Sequence, residues 1–111
     1  MKLGHVHIQF KDLQSAVRWM KEVAGLAPAY QNPRMAVFAW ENSSLIFDQS
    51  EEDSAVTIAF DSDDCRRDFS MFESRGAETV EAPADQPWGV RAAYLKGPGA
   101  TTIEIEQALR L

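Results

Sequence analysis

Two short stretches of the chain carry the residue types that most often do chemistry in proteins. The stretch HVHIQF places His5 and His7 two residues apart, and TTIEIEQ places Glu104 and Glu106 two residues apart. Side chains with this spacing lie on the same face of a strand. Imidazole and carboxylate groups bind divalent metal ions, and they also form hydrogen bonds with polar ligands. These side chains are therefore the first candidates for a metal site or a ligand site.

The other candidates are aromatic rings and one arginine. Tyr30, Trp40 and Trp88 lie in predicted loops or strands, where exposed rings hold planar or apolar ligands by stacking and burial. Trp88 stands between a proline and a glycine in PWGVR, which favours a loop at the rim of a pocket. Arg91 in the same stretch is expected to pair with an anionic ligand group or with Glu104. Core packing is the expectation for two further rings, Phe38 and Tyr94.

The elements that position these residues follow from two similar patterns. HVHIQF and AVTIAF each alternate apolar and other residues, as half-buried strands do. Asp12 is a predicted N-cap for a helix that ends at Gly25, and Asp63 is a predicted N-cap for one that ends at Gly76. The two separations are equal, which indicates an internal repeat.

Strand-like segments follow each predicted helix. RMAVFAW and SSLIFDQ are separated by a short polar turn, and GVRAAYL and TTIEIEQ by KGPGA, so each half ends in a hairpin. APAYQNP and ETVEAPADQP each have room for one more short strand despite their prolines. The prediction is an α+β fold of two βαβββ modules, at about residues 1–50 and 51–111, within a single domain spanning 1–111.

This order resembles the vicinal oxygen chelate superfamily, which includes glyoxalase I, extradiol dioxygenases and bleomycin resistance proteins. The resemblance is carried by HVHIQFKDLQSAVRWMKEVAGL near the start and by PWGVRAAYLKGPGATTIEIE near the end. It implies that the sheets of the two modules curve around a cleft with the helices outside. It also implies a small organic ligand and a homodimer.

In metal-dependent members of that superfamily, each module supplies ligands from its first and last strands. His5 and Glu104 match two of these positions. Overlaying Phe60 on Phe10 places Ala55 opposite His5, or Thr57 if the register slides by two, and Ile46 matches Glu104 in the first module. Two ligands are too few for a tight site, so we expect no metal and no other cofactor. If a metal does bind, His5 and Glu104 are its expected ligands.

Three functions follow from this comparison. The first is a metal-free sequestering protein of the bleomycin resistance type, with a role in antibiotic resistance and a cleft for an aromatic or cationic molecule. The second is a metal-dependent lyase or dioxygenase with an unusual ligand set that recruits His7 or Asp48. The third is an interaction module whose cleft is filled by a partner subunit. The residues expected to contact a ligand are His5, His7, Tyr30, Trp40, Trp88, Arg91 and Glu104.

Composition narrows the class of partner and the compartment. The 111 residues include 17 acidic and 11 basic side chains, a net charge of -6, which argues against binding nucleic acid. The single cysteine, Cys65, cannot form an internal disulfide and is expected to be a buried apolar residue. No apolar run is long enough for a membrane span, and no signal peptide is recognisable. We therefore expect a cytoplasmic protein that does not bind membranes.

Overall fold

A computed structural model describes residues 5–109 of the chain, which divides into two compact modules between Ser54 and Ala55. The elements of the first module are β1 (His5–Phe10), α1 (Leu13–Trp19) continued by a π-helical turn (Met20–Ala24), β2 (Tyr30–Asn32), β3 (Met35–Ala39) and β4 (Ser44–Gln49). Those of the second are β5 (Thr57–Asp61), α2 (Cys65–Ser74), β6 (Thr79–Asp85), β7 (Val90–Lys96) and β8 (Thr102–Ala108). The predicted α+β fold of two βαβββ modules is thus confirmed.

Each module has a four-stranded sheet with the same topology. The strand order is β1-β4-β3-β2 in the first module and β5-β8-β7-β6 in the second. The first and last strands of each module pair in parallel at one side of the sheet, and the remaining pairs are antiparallel. The proline-containing segments do form the edge strands β2 and β6. The pairing of β6 with β7 shifts register on both sides of Glu81, within the strand that contains Pro83.

One face of each sheet packs against the helix of its own module and forms the core. Three phenylalanine rings pack together in the first core. The ring centroids of Phe10 and Phe47 are 4.5 Å apart, and those of Phe38 and Phe47 are 5.0 Å apart. The buried residues of the two cores include, in order, Ile8, Phe10, Leu13, Ala16, Val17, Met20, Val23, Ala36, Phe38, Leu45 and Phe47, then Cys65, Phe69, Phe72, Ala77, Ala93, Leu95, Ile103 and Ile105. The core position predicted for Phe38 and the burial predicted for Cys65 are confirmed.

The start of the second helix corrects one prediction. Asp12 caps α1 as predicted, since Asp12 Oδ1 accepts a hydrogen bond from the Ser15 amide at 3.0 Å. The cap of α2 is Asp64 rather than Asp63, because Asp64 Oδ1 accepts from the Arg67 amide at 3.0 Å. Two adjacent aspartates offer two possible caps, and the local pattern does not choose between them. Asp63 instead forms an exposed ion pair with the Arg67 side chain.

The segment from cap to glycine is therefore one residue longer in the first module than in the second, and the first helix ends in the π-helical turn Met20–Ala24. Both helices end where predicted, at glycines with positive φ, 72° at Gly25 and 103° at Gly76. The equal separation predicted for the two cap-to-glycine segments was wrong by one residue. The repeat of the elements is unaffected, because the π-helical turn absorbs the difference.

A glutamine at the end of each module joins the last strand to the helix. Gln49 Oε1 accepts a hydrogen bond from the Leu13 amide at 3.0 Å, and Gln107 Oε1 accepts one from the Cys65 amide at 2.9 Å. Leu13 and Cys65 are the first residues of their helices, whose amides have no partner within the helix. In both modules the same residue type thus satisfies the first amide of the helix, which has no partner within the helix.

The cap assignment of α2 predicts a difference between two neighbouring variants. Asp64→Ala removes the acceptor for a first-turn amide, and we expect it to lower the free energy of unfolding by about 1 kcal/mol. Asp63→Ala removes only an exposed ion pair and is expected to cost about 0.5 kcal/mol or less. Urea denaturation measures both values. Equal losses, or a larger loss for Asp63→Ala, would contradict the assignment.

Candidate ligand-binding faces of the two sheets

The candidate residues of the first strand and the last strand lie on the sheet faces turned away from the helices. We call these the distal faces. Strand register places His7 beside Ile46 and Val37 in the first module, and Ala59 beside Glu104 and Tyr94 in the second. These residues alternate with the core residues along each strand, so burial of the core directs them to the other side. Polar groups there remain within reach of solvent or a ligand.

On the first distal face, His7 and Asp48 form a close pair. His7 Nδ1 and Asp48 Oδ2 are 2.6 Å apart, with 50% and 32% of the respective side chains exposed. The ring of His5 meets the ring of His7 edge to face, with centroids 4.9 Å apart. The carboxylate partner of His7 is therefore Asp48.

On the second distal face, Glu104 lies between another carboxylate and a phenol. Its pKa is raised above the ordinary glutamate value, first by burial and then by its hydrogen bond with Glu106 and the charge there. The hydroxyl of Tyr94 donates a hydrogen bond to Glu104, which opposes this rise. Burial, followed by the charge of Glu104, also raises the pKa of Tyr94. The group can hold a proton between the two carboxyl groups or attract a cation.

Two expectations about side-chain surroundings need correction here. Tyr94 is half-buried on the distal face beside Glu104, whereas the sequence suggested core packing. Arg91 does not pair with Glu104, because register places it on the helix-facing side beside Gln107. Arg91 Nε instead donates to Asp85 Oδ1 at 2.7 Å. This hydrogen bond is the main cause of the lowered pKa of Asp85.

The remaining aromatic candidates lie at the margins of the sheets. Trp88 is 65% exposed in the turn between β6 and β7, where Gly89 has a φ of 87°. Trp40 is 43% exposed just after β3, and Tyr30 is 55% exposed in the edge strand β2. The Tyr30 hydroxyl accepts a hydrogen bond from Asn32 Nδ2 at 3.0 Å. His5, His7, Tyr30 and Trp40 thus belong to the first module, and Trp88, Arg91 and Glu104 to the second.

Asp48 and Tyr94 are the site residues to which sequence reasoning gave too little weight. Asp48 entered only as a substitute metal ligand, and Tyr94 as a core residue. The alternation of SLIFDQ does place Asp48 on the face opposite the core. Its proximity to His7 depends on the parallel pairing of β1 with β4, which no local pattern encodes.

The comparisons with known proteins agree with this architecture. The model of the Glyoxalase/Bleomycin resistance protein/Dioxygenase superfamily matches residues 2–105. The chain belongs to this superfamily. No curated protein sequence matches it.

Solved structures of superfamily proteins share the fold at low sequence identity. A glyoxalase/bleomycin resistance protein/dioxygenase from Nocardioides has a TM-score of 0.84 and 21% identity, covering 99% of this chain and 85% of its own. The bleomycin resistance determinant of transposon Tn5 has a TM-score of 0.80 and 17% identity, covering 97% and 98%. Lactoylglutathione lyase from Agrobacterium tumefaciens has a TM-score of 0.80 and 15% identity, covering 95% and 92%. At these identities the likeness establishes the fold alone.

The structure shows which residues of the two modules are equivalent, and so it tests the alignment used to identify the metal-ligand positions. The caps Asp12 and Asp64 align Ile8 with Phe60 and His5 with Thr57. The overlay of Phe60 on Phe10 was therefore displaced by two residues, and the slid register is the correct one.

Gln49 and Gln107 accept hydrogen bonds from the first amides of their helices and are therefore equivalent residues. Aligning them matches Ile46 of the first module with Glu104 of the second. The first module thus offers His5 and an isoleucine, and the second offers a threonine and Glu104. An isoleucine has no donor atom, and threonine is not a usual ligand for such a metal, so these residues do not fit the metal of the superfamily. Within residues 5–109 no group of three or more His, Cys, Asp or Glu side chains is arranged to hold an ion.

The carboxyl pair on the second distal face predicts a pH-dependent stability. Because folding raises the pKa of Glu104, the native chain retains a proton that the unfolded chain releases. Stability therefore falls as the pH rises from the unfolded value, about 4.3, through the folded value. Glu104→Gln removes this pH-dependent loss of stability, so we expect its urea midpoint to be higher than that of the parent at about pH 7. At about pH 3, below both the unfolded and the folded pKa of Glu104, the two midpoints should be similar.

Glu52→Gln is the matched control, since it removes one negative charge from an exposed loop position. It is expected to change the midpoint little at either pH. A Glu104→Gln variant that is less stable than the parent at neutral pH would contradict the role of the pair.

Proposed function

We propose that the chain binds a small organic molecule and sequesters it without transforming it, as a metal-free member of its superfamily. The observation that carries this proposal is the residue type at the corresponding donor positions. When the two modules are aligned, Ile46 corresponds to Glu104 and Thr57 corresponds to His5. Each module therefore retains one of the two metal-ligand positions. Without a third and fourth ligand, a divalent ion has no tight site at which to polarise a substrate.

The side chains on the second module favour an aromatic or cationic ligand. Trp88 is the most exposed of the large apolar residues that the structure describes, and a free indole face stacks on planar groups. Glu104 and Glu106 are half-buried carboxyl groups beside the Tyr94 hydroxyl, and the chain has a net charge of -6. Partly desolvated carboxylates attract cations more strongly than exposed ones do.

One observation favours an enzyme as the second candidate. His5 and Glu104 are retained donors, and a structural neighbour is a lactoylglutathione lyase. The bleomycin resistance determinant of Tn5 is an equally similar neighbour by TM-score, so the fold does not separate the two functions. An assay for S-lactoylglutathione formation from glutathione and methylglyoxal tests this alternative directly.

A homodimer in the cytoplasm also forms part of the proposal. The sheet edges leave Val6 of β1 and Val80 of β6 exposed, by 39% and 50% respectively. Apolar residues on edge strands favour cover by a second chain. None of the helices within residues 5–109 is long and apolar enough to cross a membrane.

We expect Trp88 to be the main stacking surface for the ligand. The probes are bleomycin and a panel of aromatic cations, screened by thermal shift and then titrated by calorimetry. Trp88→Ala should weaken binding about fivefold or more, since stacking contributes on the order of 1 kcal/mol beyond burial. Trp88→Phe keeps a ring and should bind within about twofold of the parent. If Trp88→Ala binds a probe as tightly as the parent does, Trp88 is not the stacking surface. If the protein converts a probe to a product, the sequestering function is wrong and the chain is an enzyme.

The donor set predicts that the purified chain carries no stoichiometric transition metal. Elemental analysis of protein expressed in medium with added zinc, nickel, iron and manganese measures this directly. The expected content is well below one ion per chain, because each module lacks one donor. About one ion per chain, lost in His5→Ala, would instead support the metal-dependent enzyme.

A further inference from the structure

We infer that Asp48 positions His7 as a hydrogen-bond acceptor, which selects ligands that carry an O–H or N–H group. This inference rests on the proposed binding function and specifies the ligand class of the first distal face. It assigns a role to Asp48, which does not correspond to a metal-ligand position of the superfamily and is not one of the aromatic residues proposed to stack on the ligand.

The geometry of the pair fixes which ring nitrogen carries the proton. An ionised carboxylate only accepts hydrogen bonds, so at 2.6 Å His7 Nδ1 donates to Asp48 Oδ2. In the neutral ring, Nε2 then carries a lone pair instead of a proton. Half of the His7 side chain is exposed, so a ligand can reach the ring within its module. The edge contact with His5 supports the ring from one side.

The second module argues against a purely structural role for the pair. The positions that correspond to His7 and Asp48 are Ala59 and Glu106, given the alignment by caps and glutamines. Nevertheless, β5 and β8 pair in the same parallel register as β1 and β4. The strand pairing therefore forms without a histidine bonded to a carboxylate, and the pair is a feature of the first module alone.

The neighbours of the pair define the rest of the ligand. Register places Ile46 and Val37 beside His7, and Met35 beside Asp48, all half-buried on the distal face. This surface offers apolar contact next to two acceptors. It suits a molecule with an apolar body and one donor group, such as a phenol or an amine, and it disfavours anions.

The first test reads the tautomer directly and needs no ligand. The chain has two histidines, so nitrogen-15 NMR of the imidazole rings gives two sets of signals, which His5→Gln assigns. At a pH that keeps both rings neutral, we expect His7 to be protonated at Nδ1 and bare at Nε2. Asp48→Leu should move the proton to Nε2, the tautomer usual in water, while His5 is unchanged. A His7 ring protonated at Nε2 in the parent, or unaffected by Asp48→Leu, would overturn the inference.

The parent spectrum alone decides the tautomer even if Asp48→Leu fails to fold. The second test compares phenol with its methyl ether, anisole, which has the same ring but no donor. Phenol should shift the His7 Nε2 signal, anisole should shift it little, and a folded Asp48→Leu should lose the difference. Equal shifts, or no shift with phenol, would overturn the ligand class. The sequestering function fails by a different result, turnover of a bound probe, so the two failures are distinguishable.

Discussion

Burial of one sheet face under the helix of its own module is the constraint on which the rest of the structure depends. In the first module Phe10, Phe38 and Phe47 form that buried layer, in which the ring centroid of Phe47 lies 4.5 Å from that of Phe10 and 5.0 Å from that of Phe38. Since strand side chains alternate, every residue between the core residues is directed to the distal face. A slip of one residue would bury His7 and expose its apolar neighbours, so packing of the core also fixes the positions of the candidate ligand-binding groups.

The helix is held over the sheet by the same polar contact in both modules. A glutamine on the last strand accepts a hydrogen bond from the first amide of the helix, while the aspartate at the N-cap accepts one from the third amide of the same turn. These contacts satisfy donors that the helix leaves unpaired. The glutamine contacts also couple the last strand of each module to its helix, so the strand that carries Asp48 or Glu104 has a defined position. The repeated scaffold then leaves the distal side chains free to differ.

The two distal faces have in fact diverged in chemistry. The first carries a hydrogen bond between His7 and Asp48 beside apolar neighbours. The second carries Glu104, which forms hydrogen bonds with Glu106 and Tyr94. Superfamily membership establishes the fold, whereas these residues decide the function. The corresponding donor positions hold Ile46 and Thr57, and for this reason we propose direct contacts with an organic ligand rather than chelation through a metal.

The sequence alone determined the local features of this protein. Alternation of period two identified the strands, aspartates and glycines marked the helix ends, and the repeat gave the βαβββ order, because each depends on residues close together in the chain. Only the tertiary structure decided which distant groups meet. It placed Asp48 on His7, paired Arg91 with Asp85, and chose Asp64 over its neighbour as a cap. The face of a side chain follows from its own strand, but its partner depends on which strands pair and in what register, and that is set by packing of the whole sheet.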